Sequence, residues 1–83
     1  MLRKNERKLT AAEVKCLPDG TPVRVYGRDR RGYTTDLLCD VVTEGRTKRL
    51  RYFDMSAMAV KRMPIHQLDG AVHFYTVEDY ENA

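Results

Sequence analysis

The chain has 83 residues, two cysteines and a formal net charge of +3, and 42% of its residues are hydrophobic. A chain of this length forms one domain with a thin core, in which a deep catalytic cleft is difficult to build. The apolar content argues against general disorder, and no apolar run approaches the ~20 residues of a membrane span. We therefore expect a single globular domain over residues 1–83 that does not bind membranes.

Both ends of the chain are strongly polar. Residues 1–8 are basic and are predicted to form a flexible arm, whereas residues 78–83 form an acidic tail. The start, MLRKNERK, lacks the apolar stretch of a signal peptide, so we expect a cytoplasmic protein. Cys16 and Cys39 have apolar flanks and are expected to be buried thiols that stay reduced in that compartment.

A short helix is predicted first, over residues 11–16. Thr10 and Glu13 have the spacing of a capping box, in which each side chain binds the backbone N–H of the other residue. Leu9 and Val14 stand on either side of this cap at the spacing of a hydrophobic staple. The helix must end before the proline that follows, because the residue before a proline is disfavoured in helical geometry.

The rest of the chain has the alternating pattern of β-strands, over residues 21–26, 33–42, 46–53, 60–63 and 71–77. In segment 33–42 the odd positions, including Tyr33, are predicted to face the core, because Asp36 and Asp40 mark the even face as wetter. Gly45 suits a tight turn after this strand. Residues 54–59 are predicted to form a short helical turn capped by Asp54.

The run LPDGTPVRV, followed by a charged loop, a long strand and a hairpin, resembles the SH3-like small β-barrels of uncharacterised phage and bacterial proteins. The resemblance covers residues 17–77. It implies a mainly β protein, either an SH3-like barrel or a curved antiparallel sheet of four to five strands, with a short N-terminal helix.

Arginine is concentrated in the loop GRDRRG and in the two strands expected to flank segment 33–42. Outward residues of two strands that flank a third lie on the same face, so these arginines are predicted to form one patch. The candidate binding residues are Arg24, Tyr26, Arg28, Arg30, Arg31, Arg49 and Arg51. Two other interpretations stay open: the loop is an ordinary solvated turn, and Asp36 and Asp40 neutralise strand arginines as cross-strand ion pairs.

Two functions fit such a patch. The first is a small interaction module, an accessory or inhibitor protein of a phage or mobile element, which binds a protein partner or forms a homodimer. The second is a nucleic-acid-binding module whose arginines contact phosphates while Tyr26 stacks on a base.

Catalytic and metal-binding patterns are not recognisable in the sequence. His66 and His73 are isolated, Ser56 has no nucleophile motif, and no glycine-rich phosphate loop is present. The cysteines and histidines do not have zinc-ligand spacing. We therefore expect no catalytic residue, no metal and no cofactor.

Overall fold

The computed structural model describes residues 6–66, 68 and 70–77. Its elements are β1 (Lys8–Leu9), α1 (Ala11–Lys15), β2 (Pro22–Arg28), β3 (Thr34–Glu44), β4 (Thr47–Asp54), β5 (Ala59–Pro64) and β6 (His73–Thr76). All six strands belong to one antiparallel sheet in the order β1-β6-β2-β3-β4-β5. The protein is therefore mainly β, as predicted. Within the described residues the sheet is open, with β1 and β5 at its edges, and a closed barrel is not found.

The predicted capping box is confirmed at the start of α1. The Thr10 hydroxyl accepts from the Glu13 N–H at 3.1 Å, and the Glu13 carboxylate accepts from the Thr10 N–H at 2.9 Å. Leu9 and Val14, the predicted staple residues, are both buried in the core. Leu9, just before the helix, and Val14, within it, therefore anchor the start of the helix to the core.

The strand that the sequence pattern did not predict is β1, which lies at the end of the expected basic arm. The Arg7 N–H donates to the Thr76 hydroxyl at 2.8 Å, and the Arg7 carbonyl accepts from the Thr76 N–H at 2.9 Å. Lys8 lies opposite Tyr75 in the β1–β6 register. Residues 6–8 are therefore attached to the sheet, whereas residues 1–5 and the acidic tail 78–83 lie outside the described residues.

The core lies on one face of the sheet, which we call the inner face. The buried hydrophobic cluster consists of Leu9, Val14, Val23, Val25, Cys39, Val41, Leu50, Ile65, Val72 and Phe74. On β3 the predicted alternation is confirmed for Cys39 and Val41, which are buried, and for Leu37, which packs against the cluster. The prediction for Tyr33 is wrong: it precedes β3 and is 68% exposed.

Two further local predictions are wrong. Cys16 is exposed at the C-cap of α1, whereas Cys39 is buried as expected. Residues 55–58 form a turn between β4 and β5 instead of a helix. The Asp54 carboxylate does accept from the N–H groups of Ser56 and Ala57, as a helix cap would, but the chain then continues into β5.

Gly27 allows the segment before β6 to cross β2 closely. It has φ +145, and a Cβ built on it would lie 2.0 Å from the Ala71 carbonyl oxygen. The Ala71 N–H donates to the Arg28 carbonyl at 2.9 Å, and the next residue, Val72, is buried. A glycine at this position is therefore needed for the connection to reach the core.

Candidate functional site

Four of the seven candidate residues lie on the face of the sheet opposite the core, which we call the outer face. Arg24 stands opposite Leu38, and on the other side of β3 Arg51 and Arg49 stand opposite Asp40 and Val42. Because Leu38, Asp40 and Val42 alternate along β3, all three arginines project to the same side. Tyr26, two residues after Arg24, shares that side. The strand arrangement on which the predicted patch depends is therefore present, with β2 and β4 both flanking β3.

Arg24 is fully engaged with its neighbours on this face. Its guanidinium donates two hydrogen bonds to the Asp36 carboxylate, at 3.0 and 3.1 Å, and lies 3.4 Å from the carboxylate of Glu6. Its central carbon also sits 4.5 Å from the centroid of the Tyr26 ring. The hydrogen bonds to Asp36 raise the pKa of Arg24 above its ordinary value. The Glu6 side chain is 1% exposed, so this arginine compensates a carboxylate that is almost completely out of water.

The β4 arginines are also paired with carboxylates. The Arg51 guanidinium donates to both oxygens of Asp40, at 3.1 and 2.6 Å, and this bidentate contact raises the pKa of Arg51. Glu44 lies 3.4 Å from Arg49 and is also bound by Arg62 of β5. The outer face is therefore a ladder of alternating charges and not a continuous cationic surface.

The loop arginines lie at one end of the outer face. Arg28 ends β2 opposite Thr34, whereas Arg49 stands opposite Val42, eight residues farther along β3, which corresponds to about 27 Å. The loop itself is a closed turn in which the Asp29 carboxylate accepts from the N–H groups of residues 31 and 33, at 2.9 and 3.0 Å. Five of the seven candidate residues thus lie on strands, with Arg28 at the end of β2, whereas Arg30 and Arg31 lie in the turn, at the opposite end of the outer face from Arg49.

The sequence reasoning missed a row of exposed apolar side chains on the same face. Leu38, Phe53 and Val60 are 51%, 48% and 53% exposed. Phe53 and Val60 are register partners, and extending the β3–β4 register by two residues beyond the Asp40–Arg51 pair places Leu38 opposite Phe53. We call these three residues the apolar row. The signal was present in the sequence, because alternation alone puts Leu38 on the even face of β3 and Phe53 on the Arg51 face of β4.

The apolar row forms one wall of a shallow groove of about 520 Å³. Charged and aromatic side chains complete its lining: Asp40, Arg51, Tyr52 and Arg62. Arg51 and Arg62 are register partners, so two guanidinium groups lie side by side along the groove, each held by a carboxylate of β3. The groove therefore offers an apolar strip bordered by oriented arginine donors.

Groups with catalytic or metal-binding chemistry are not gathered at this groove. Over residues 6–66, 68 and 70–77, no cluster of three or more His, Cys, Asp or Glu side chains could hold a metal ion. Burial, together with the negative charge of Asp40, raises the pKa of the Cys39 thiol to about 12. His73 packs edge-to-face against Tyr75, with ring centroids 6.5 Å apart.

Comparisons with known proteins do not assign the chain to a family: no protein family, curated protein or solved structure matches it. In the part of the chain that the structure describes, no helix is both long enough and apolar enough to cross a membrane.

Proposed function

We propose that this protein is a small non-enzymatic interaction module that binds a protein partner through the outer face of its sheet. The observation that carries the proposal is the apolar row, Leu38, Phe53 and Val60, on three adjacent strands. Single exposed apolar side chains are ordinary on a protein surface, but a contiguous strip bordered by polar groups is typical of an interaction site. An accessory or inhibitor role for a phage or mobile element follows from the resemblance to SH3-like small barrels alone.

The pairing of the arginines favours a protein partner over nucleic acid. Arg24 and Arg51 each donate two hydrogen bonds to an aspartate, so the positive charge of each is already largely compensated and attracts a phosphate less strongly. Arg24 also covers one side of the Tyr26 ring, which removes that side as a platform for a base. Leu38, Phe53 and Val60 offer nothing to a phosphate backbone, whereas they can be buried by an apolar side chain of a partner.

The expected partner surface follows from the groove. An apolar or aromatic side chain would cover the row, and neutral carbonyl oxygens at its margin would accept from the remaining N–H donors of Arg51 and Arg62, which lie side by side. Arginine is enriched at interfaces, and its guanidinium has more N–H donors than one carboxylate can bind. The edge strand β5, which carries Val60 and Arg62, could extend this contact through its outer backbone edge.

The proposal is tested with a double variant, Phe53→Ser and Val60→Ser, which removes most of the apolar row. The matched control is Tyr33→Ser and Met55→Ser, because these side chains are 68% and 74% exposed and lie in turns outside the row. Tagged proteins are used for affinity purification from cells of the source organism, and each captured protein is then purified and titrated calorimetrically. The proposal is supported by a partner that binds the wild type and the control with similar affinity and binds the row variant at least tenfold more weakly.

Two results would contradict it. One is a partner that binds the row variant and the wild type equally. The other is salt-sensitive binding of labelled DNA or RNA that is abolished by Arg28→Ala, Arg30→Ala and Arg31→Ala, which would support the nucleic-acid alternative. Sedimentation of the wild type, the control and the row variant tests self-association separately. A dimer that is lost in the row variant and kept in the control would identify a second copy of the chain as the partner.

A further inference from the structure

A second groove, distinct from the apolar row, lies where α1, the β3–β4 turn and the end of β5 meet. Its volume is about 480 Å³. The lining residues are Lys15, Arg46, Thr47, Lys48, Arg49, Pro64 and Ile65. We call it the basic groove, because four of these seven side chains are cationic. Segments that are far apart in the chain build it: a helix end, a turn and the last residues of an edge strand.

The charge in this groove is poorly compensated, in contrast to the outer face. Within the part of the chain that the structure describes, Glu44 is the carboxylate that pairs with a lining residue, and it is shared between Arg49 and Arg62. No described carboxylate lies within ion-pair distance of Lys15, Arg46 or Lys48.

Local structure holds these cations at the rim of the groove. Lys15 occupies the last turn of α1, where a cation is favoured by the helix dipole. The Lys48 ammonium donates to the Leu17 carbonyl, which fixes the side chain between the helix and β4. Arg46 extends from the tight turn made by Gly45, whose φ is +64. Three cationic residues from three segments of the chain thus line one concavity.

We infer that the basic groove binds the phosphate monoester group of a small organic ligand. A phosphate monoester carries a charge of about −1.5 to −2 at pH 7 and three acceptor oxygens, whereas a carboxylate carries one charge and two oxygens. Three cations that have no carboxylate partner among the described residues match the first group better than the second. The planar guanidinium of Arg46 suits two oxygens of one phosphate, and the ammonium groups of Lys15 and Lys48 add point charges.

The volume and the apolar part of the lining indicate that more than a phosphate ion can be accommodated. Ligand pockets commonly have volumes of about 300–1,000 Å³, and this groove lies within that range. The exposed Pro64 provides an apolar surface next to the cations, against which the organic part of the ligand can pack. The site does not depend on the outer-face proposal, because none of the apolar-row residues lines it.

The experiment is a titration of the full-length ¹⁵N-labelled protein followed by NMR. The probes are phenyl phosphate, inorganic phosphate, phenyl sulfate and benzoate, which separate the phosphate monoester from the free ion, from a monoanionic sulfate ester and from a carboxylate. We expect saturable shifts at the amides of residues 15 and 46–49, with phenyl phosphate binding most tightly. Binding of benzoate as tight as that of phenyl phosphate, or shifts that do not saturate at any site, would overturn the inference.

Variants and pH give two independent checks. Arg46→Gln should weaken phenyl phosphate binding about tenfold or more, since a charge-assisted contact is lost. The matched control Arg31→Gln changes another exposed turn arginine and should have no effect. Both positions are exposed in turns, so both variants should fold, which their spectra will report. Equal affinity of Arg46→Gln and the wild type would refute the site.

The pH dependence reports the charge of the ligand. The second pKa of a phosphate monoester is about 6, so a site selective for the dianion should bind phenyl phosphate about fourfold more tightly at pH 7.5 than at pH 5.5. Phenyl sulfate keeps its charge over this range, so its binding corrects for any change in the charge of the protein itself. An identical pH dependence for both ligands would contradict selectivity for a phosphate dianion.

Discussion

Replacement of Leu50 and of Leu38 by alanine makes the same chemical change on the two faces of the sheet. Leu50 is completely buried on the inner face of β4, whereas Leu38 is 51% exposed on the outer face of β3. If the faces are assigned correctly, the two substitutions must differ strongly in their effect on the free energy of unfolding.

The magnitudes follow from burial. Leucine to alanine removes three carbons, worth about 2.4 kcal/mol of transfer free energy when fully buried. At Leu50 the cavity between Val41 and Met63, its register partners, raises the cost to about 3–4 kcal/mol. At Leu38 about half of the side chain is already in water and no closed cavity forms, so the cost is about 1 kcal/mol.

Thermal unfolding followed by circular dichroism measures the difference. In a domain of 60–100 residues each kcal/mol lowers Tm by about 4–8 °C, so we expect a decrease of about 12–30 °C for Leu50→Ala and about 4–8 °C for Leu38→Ala. If Leu50→Ala does not fold at all, Leu50→Met, which nearly conserves volume, should fold with a loss below about 1.5 kcal/mol. Equal losses at the two positions, or a larger loss at Leu38, would refute the assignment of the faces.

Three further predictions concern single contacts. Gly27→Ala should lower the free energy of unfolding, measured by urea titration, by more than about 2 kcal/mol because the new Cβ clashes with Ala71. Gly45→Ala has open space around its Cβ and should cost about 1 kcal/mol, and equal costs would contradict the close crossing. Thr10→Ala removes the capping box and should lower the free energy of unfolding by about 1 kcal/mol, whereas Thr10→Ser keeps the hydroxyl and should lose much less. An unchanged free energy of unfolding in Thr10→Ala would argue against the cap. The free energy of unfolding should fall as the pH rises from about 9 towards 12, because in this range the Cys39 thiol ionises only in the unfolded chain. Cys39→Ala should remove this part of the pH dependence, and an unchanged dependence would show that the thiol is not buried.

The candidate site was only partly predictable. Alternation alone places Arg24, Arg49 and Arg51 on one face, but charge compensation depends on register. Arg51 pairs with Asp40 directly opposite, whereas Arg24 reaches Asp36 diagonally and also Glu6, which belongs to a different part of the sheet.

The features that the sequence by itself determined are those that depend on neighbours a few residues apart. The capping box joins Thr10 to Glu13, and the inward faces of β2 and β3 follow from a two-residue period, so both are visible in the chain. Tertiary structure decided the rest: β1 forms only because Arg7 meets Thr76, 69 residues away, and residues 55–58 turn into β5 because β4 offers a strand to pair with. Local sequence records interactions whose partners are close in the chain, whereas strand pairing and the grooves at strand ends arise from contacts that become close only after folding.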